Sequence, residues 1–194
     1  METVETNIVT QHGPFRIVCV AADTYSPDFA LVRGDVAGRR DVLVRVQSEC
    51  ITGHVLKSLS CDCYEQLQDS LAAIAEAGLG VLIYLRQEGR GIGLADKIRS
   101  YVLQKQGEDT VDANLRLGRG VDERTYETAG ALLRVLGVES IVLLTNNPGK
   151  TRALQDDGIA VAGTRGVPPV VREQNVRYLR TKVSRMGHTF SVPR

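Results

Sequence analysis

Residues 80–106 read GVLIYLRQEGRGIGLADKIRSYVLQKQ. Gly80 to Tyr84 is a short apolar run of the kind that forms a buried strand. A polar loop follows, with glycines at 89, 91 and 93 and arginines at 86 and 90. Leu94 to Gln106 then reads as a helix. Strand, glycine-rich loop and helix in succession make the repeating unit of α/β folds. Glycine lets backbone N–H groups come close to an anion. Guanidinium forks match phosphate oxygens. No Gly-Lys-Ser/Thr follows, so this is not a P-loop, and the spacing is not a clean G-x-G-x-x-G. Taken alone, the loop is equally a glycine-rich connection with solvated arginines.

The same alternation continues on both sides. Strands are expected at Phe15 to Val20, Ala30 to Arg33, Val42 to Val46, Ser140 to Leu144 and Ile159 to Ala162. Helices are expected at Cys61 to Glu76, with Leu67, Leu71 and Ile74 on one face, at Tyr126 to Leu136 and at Lys150 to Asp156. The polar, basic tail, Glu173 to Phe190, forms a helix if Tyr178, Leu179 and Met186 pin it to the body. The N-terminal third is richer in strands. The expected class is therefore α/β (α+β), a mixed sheet flanked by helices. One domain spans 1–194, with 1–12 and 191–194 as flexible ends.

Composition narrows the functional classes. Of 194 residues 43% are hydrophobic, enough for a sizeable core. The 24 basic and 23 acidic residues nearly cancel. No basic footprint for nucleic acid results, although a local basic pocket for a small polyanion is compatible with this balance. No apolar run reaches membrane-spanning length. Met1 to Gln11 lacks the basic and apolar regions of a signal peptide. A cytoplasmic, reducing compartment is expected, where clustered cysteines are more often metal-binding or catalytic than disulfide-bonded.

Three of the four cysteines, Cys50, Cys61 and Cys63, fall within fourteen residues. Thiolates suit zinc, and three protein ligands leave one tetrahedral position for water, as in catalytic sites. The C-x10-C-x-C spacing matches no common structural zinc pattern. A disulfide with one spare thiol, or plain buried cysteines, are the alternatives. His54 is a weaker candidate for a fourth ligand.

Other stretches are ambiguous by themselves. Thr145-Asn146-Asn147-Pro148-Gly149-Lys150 lies at a strand end, where open α/β sheets bind ligands, but it is also a good turn. Asp122 and Arg124 read as a surface ion pair unless something else supports them. Tyr101, at helical spacing from Ile98, reads equally as core.

Taken in order, these segments form a pattern. They are Arg45-Val46-Gln47-Ser48-Glu49-Cys50, Ser60-Cys61-Asp62-Cys63-Tyr64-Glu65-Gln66-Leu67, Arg86 to Leu94, Asp109 to Asn114, Asp122-Glu123-Arg124 and Leu144 to Lys150. In that order and spacing the chain resembles GTP cyclohydrolase II, from about Phe15 to about Phe190. The resemblance implies opening of the purine ring of GTP, with release of formate and pyrophosphate. It implies zinc, magnesium with the triphosphate, and a homodimer. Cys50, Cys61 and Cys63 match its zinc ligands. Arg45, Val46, Gln47, Ser48, Glu49, Gln66, Glu88, Gly89, Arg90, Thr110, Thr145 and Lys150 match substrate-contacting positions. Asp122 matches the general base, and Arg124 the residue proposed as nucleophile toward the α-phosphate. Tyr101 matches a tyrosine tied to deformylation.

The chain departs from the family at four places. It has Gln47 where His is common, Ser60 where Arg is common, Tyr64 where Gly is common, and Arg119 where an aromatic residue is common. Tyr64 is expected to restrict a backbone position where glycine allows positive φ. Altered product partition and neutral drift are the two readings of these changes.

Overall fold

The computed structural model describes residues 2–21 and 28–192. Pro193 and Arg194, half of the expected C-terminal flexible end, lie outside these residues. Among the described residues are seven strands and seven α-helices, in the order β1 (Thr3–Thr10), β2 (Gly13–Val20), β3 (Phe29–Arg33), β4 (Val42–Ser48), α1 (Ile51–His54), α2 (Cys63–Ala77), β5 (Gly80–Leu85), α3 (Gly93–Lys105), α4 (Thr110–Arg116), α5 (Glu127–Val135), β6 (Ile141–Leu144), α6 (Pro148–Asp156), β7 (Val161–Arg165) and α7 (Val176–Met186). A 3-10 turn covers Glu88–Gly91. No helix among the described residues is long and apolar enough to cross a membrane.

The strands form one mixed sheet in the order β1-β2-β3-β5-β4-β6-β7. β1, β2, β3 and β5 pair antiparallel, whereas β5, β4, β6 and β7 pair parallel. β5 is the change point. Its run GVLIYL is buried nearly throughout because helices cover both faces of the sheet. Val44, Val46, Val81 and Ile83 pack with Leu132, Leu133 and Leu154 of α5 and α6 on one side. Leu82 packs with Phe15, Leu71 and Ile74, the last two from α2, on the other. At the start of β5 a Cβ on Gly80 would lie 2.6 Å from the Leu43 carbonyl oxygen and 3.0 Å from Ile74. Glycine there allows β4 and α2 to close on the strand.

The N-terminal segment expected as a flexible end contains a strand that the sequence reading did not assign. Residues 3–10 are β1, paired along their whole length with β2 through a turn that uses Gly13 at φ +95°. Its sequence, TVETNIVT, is rich in β-branched residues but mostly exposed, so it carries little of the buried alternation that marks a strand. The expected helices and strands stand within a few residues of their positions, and α1 and α4 are additions. The expected strain at Tyr64 is also corrected. Tyr64 lies inside α2 with a helical backbone, so its side chain forces no positive φ.

β4, β5 and β6 run parallel, so their carboxyl ends share one edge. Cys50, Glu88 and Thr145 therefore reach the same place from distant parts of the chain, at the edge where such sheets bind ligands.

Candidate active site

Cys50 follows β4 and precedes α1, while Cys61 and Cys63 lead into α2. The three sulfurs lie within 4.8 Å of one another. The Cys50 and Cys61 sulfurs are 3.9 Å apart, which is far longer than a disulfide and close to the roughly 3.8 Å edge of a tetrahedron with 2.3 Å zinc–sulfur bonds. All four cysteines are free. The donor set, its spacing and its burial thus fit zinc. His54 stands outside the cluster. Its Nδ1 meets the Tyr84 hydroxyl at 2.8 Å and its Nε2 meets Gln47 at 3.2 Å.

The thiols share protons unequally. The S–H groups of Cys61 and Cys63 donate toward Cys50, and Lys97 adds its charge, so the Cys50 pKa falls far below the ordinary thiol value. The same donation pushes Cys61 up to about 11 and raises Cys63 as well. Lys97 was not legible as a site residue. Its Nζ lies 3.2 Å from the Cys50 sulfur, 2.9 Å from the Thr52 hydroxyl and 2.8 Å from Glu88. Glu88 also accepts from the Ile51 and Gly89 amides at 2.6 Å each. A buried Lys97–Glu88 pair therefore ties the glycine-rich loop to the thiol segment.

Gly53 is another residue with no sequence signal. A Cβ there would lie 2.9 Å from the Cys61 sulfur and 3.2 Å from the Cys50 sulfur. Alanine in a helix is worth about 1 kcal/mol over glycine, and overpacking costs about 1–3 kcal/mol. Gly53→Ala is therefore expected to change thermal stability little while spreading the sulfurs. Its zinc affinity should fall about tenfold or more, as metal sites lose when their supports are disturbed. Metal titration beside a thermal melt separates the two effects.

The thiols open into a cavity of about 370 Å³. Its lining brings together nearly every residue singled out from sequence: Arg45, Gln47, Ser48, Glu49, Gln66, Glu88, Gly89, Arg90, Tyr101, Thr110, Arg124, Thr145 and Lys150, besides the three cysteines. Two are absent from the lining. The Val46 side chain is in the core, and only its carbonyl faces the site, accepting from Lys150 Nζ at 2.6 Å. Asp122 lines an adjoining cavity with Arg124 and Lys150.

Arg45 is fixed by neutral acceptors. Its guanidinium donates to Gln47 Oε1 at 2.7 and 2.9 Å, to Gln66 at 2.8 Å and to the Leu144 carbonyl at 2.9 Å. Burial lowers its pKa to about 10, and it remains a cation at neutral pH. Burial, helped by Arg45 and Arg124, takes Lys150 well below the ordinary lysine value. Arg124 donates to Asp122 at 2.7 and 2.5 Å in a fork. Burial opposes its charge, but Asp122 overrides that and holds the guanidinium pKa above its usual value. Burial also opposes charge on Asp122, and Arg124 wins again, so this carboxyl stays below the ordinary range. Tyr101 is raised by burial and sits 3.4 Å from Thr52.

Gly91 sets the Asp122–Arg124 loop against the glycine-rich turn. A Cβ on it would meet the Glu123 carbonyl oxygen at 2.7 Å, and its φ is +93°. Arg90 itself sits at φ +63°, a conformation that costs a non-glycine residue on the order of 1–3 kcal/mol.

The unusual residues fit their surroundings. Gln47 bridges Arg45 and His54. Arg119 pairs with Asp96 at the surface. Tyr64 stacks under Lys57, 5.0 Å away. Ser60 lines the cavity.

Residues 1–166 match the family model for GTP cyclohydrolase II. A protein named GTP cyclohydrolase-2 from Histophilus somni is 48% identical over 187 residues, covering 95% of this chain and 86% of that protein. One from Picrophilus torridus is 47% identical, covering 93% of this chain and 94% of that protein. A riboflavin biosynthesis protein RibBA from Salinispora arenicola is 52% identical over 186 residues, but the chain spans only 44% of that longer protein. Among solved structures, a two-domain 3,4-dihydroxy-2-butanone 4-phosphate synthase from A. baumannii aligns with a TM-score of 0.47 and 19% identity, over 84% of this chain and 40% of that one. By its family match and by relatives of almost the same extent, the chain belongs to the GTP cyclohydrolase II family.

Proposed function

We propose that this chain is a zinc-dependent GTP cyclohydrolase II. It opens the imidazole ring of GTP at C8 and releases formate and pyrophosphate. The product is 2,5-diamino-6-ribosylamino-4(3H)-pyrimidinone 5′-phosphate, at the head of riboflavin biosynthesis or of a related pathway. The observation that carries the reading is the opening of the three-thiol cluster into the same cavity as Arg45, Arg90, Arg124 and Lys150. The cysteines would hold zinc, whose Lewis acidity supplies a water nucleophile at neutral pH.

The chain's own groups do the rest. Arg90, Arg124 and Lys150 gather the phosphates, with magnesium accompanying the triphosphate. Arg124 acts as a fixed cation facing the departing pyrophosphate, because its fork is held and kept protonated by Asp122. Asp122, being ion-paired, positions that fork and is a weak base. Arg45 carries its charge to the cavity wall, where its direct hydrogen-bond acceptors are neutral. Tyr101 remains a neutral phenol at neutral pH, able to donate to the purine. Ser48, Glu49, Gln66 and Thr110 offer the polar groups for base and ribose.

The enzyme is proposed to be cytoplasmic and a homodimer. Leu94, Ile98 and Val102 support the dimer: spaced four apart on α3, they are 39%, 46% and 53% exposed. Light scattering measures its mass. The function is tested with purified, zinc-loaded protein, GTP and magnesium. One formate and one pyrophosphate per GTP are expected. A formamidopyrimidine without formate means the second hydrolysis is lost. Unchanged GTP with zinc retained would make the chain a binding module.

A further inference from the structure

One wall of the cavity lies beyond the residues that match the family model. It is α7 and the segment after it, which contribute Arg177, Tyr178, Lys182 and His188 to the lining. This wall is fastened down on several sides. Arg185 pairs with Asp109 at 2.7 Å and Asp112 at 3.0 Å. Arg177 donates to the Gly107 and Glu108 carbonyls. The Thr189 amide donates to the Asn146 carbonyl at 3.0 Å.

Lys182 is the charge this wall brings inward. The residue is 8% exposed, and its ammonium lies 4.4 Å from the centre of the Tyr178 ring. Its nearest carboxylate oxygen, on fully buried Asp62, is 3.4 Å away. That carboxylate is shared, since its other oxygen accepts from Gln66 at 2.7 Å. Arg90 approaches the same ring at 5.7 Å. Both of its terminal nitrogens are buried, without a hydrogen-bond partner among the described residues. Buried cations are costly unless they are paired, and Asp62 and Asp122 lie among five basic side chains: Arg45, Arg90, Arg124, Lys150 and Lys182. His188 registers the excess. Burial, followed by Lys182, Arg124, Lys150 and Arg90, depresses its pKa to about 3.

We propose that Lys182 is a phosphate-binding residue, its ammonium donating to a substrate phosphate oxygen beside Arg90, with α7 as the wall that delivers it. The inference rests on the GTP reading above and adds a residue to it. It is specific about which end of the ligand Lys182 senses.

The test compares two probes on zinc-loaded protein by calorimetry. One is the GTP analogue with a methylene between the α- and β-phosphorus atoms, which cannot release pyrophosphate. The other is guanosine, which has no phosphate. A charged hydrogen bond lost from a buried site corresponds to roughly tenfold or more in affinity. Lys182→Gln should therefore weaken the analogue at least about tenfold and leave guanosine nearly unchanged. Lys182→Arg should keep most of the affinity. An equal loss for both probes makes Lys182 merely structural and overturns the inference, as does no loss for either. Should Lys182→Gln fail to fold because Asp62 is left unpaired, Asp62→Asn/Lys182→Met removes both charges together, and the same selective loss is expected. If the unaltered protein binds neither probe, the GTP reading falls and the inference with it. If it binds both and only the selective loss is missing, the inference alone falls.

Discussion

Cys61→Ser is expected to abolish zinc retention and to lower formate release by roughly a thousandfold or more. Zinc takes thiolate, imidazole and carboxylate ligands, and a serine hydroxyl does not ionise to replace a thiolate. Removing a partner of a metal ligand already costs about 10–100-fold in metal affinity or activity, so removing a ligand costs more. The cluster has no reserve: among the described residues it contains only Cys50, Cys61 and Cys63, and His54 is held by Tyr84 and Gln47. The fold should survive, because the large buried side chains of both cores lie elsewhere. Metal analysis, circular dichroism and a formate assay on one preparation decide the matter. Unchanged zinc and unchanged formate would remove the thiols from the mechanism.

Arg124→Ala is expected to slow pyrophosphate release by about 10³-fold or more, the scale of a cation that stabilises phosphoryl-transfer charge. Arg124→Lys should fall between, since lysine keeps the charge but loses the fork. Asp122→Asn should cost less than Arg124→Ala, because it loosens the guanidinium without removing it. A fixed cation and a covalent nucleophile differ in one observable. Acid quenching during turnover of α-labelled GTP should leave no label on the protein. Label that appears in the unaltered enzyme and vanishes in Arg124→Ala would make Arg124 the nucleophile. The raised Arg124 pKa argues against that, because a guanidinium must lose its proton to attack.

What the sequence disclosed followed from how local each signal was. Cys50, Cys61 and Cys63 are close in sequence, and so was their meaning. GVLIY and SIVLL are apolar runs that belong in a sheet covered on both faces, and β5 and β6 occupy them. β1 escaped notice because its residues are mostly exposed and lack wet–dry contrast. α1, at four residues, is too short to show periodicity. Lys97 and Lys182 look like ordinary surface lysines, the usual fate of that residue. Only the tertiary fold turns them inward. The amphipathic tail suggested a helix, but nothing in it said that the helix closes a cavity. Asp122 and Arg124 gained meaning once Gly91 allowed their loop to approach the glycine-rich turn.

The order of the cavity's parts along the chain has a consequence for its birth. The three thiols are joined by a short loop whose closure costs little entropy, and they are synthesised before β5 and every element after it. The far wall, α7, comes after every other described element. Chains fold progressively from the N-terminus during synthesis. A nascent chain therefore carries its sulfur cluster long before it has a closed pocket. On the function proposed above, the thiols are made available to metal before residues 176–186 complete the nucleotide pocket.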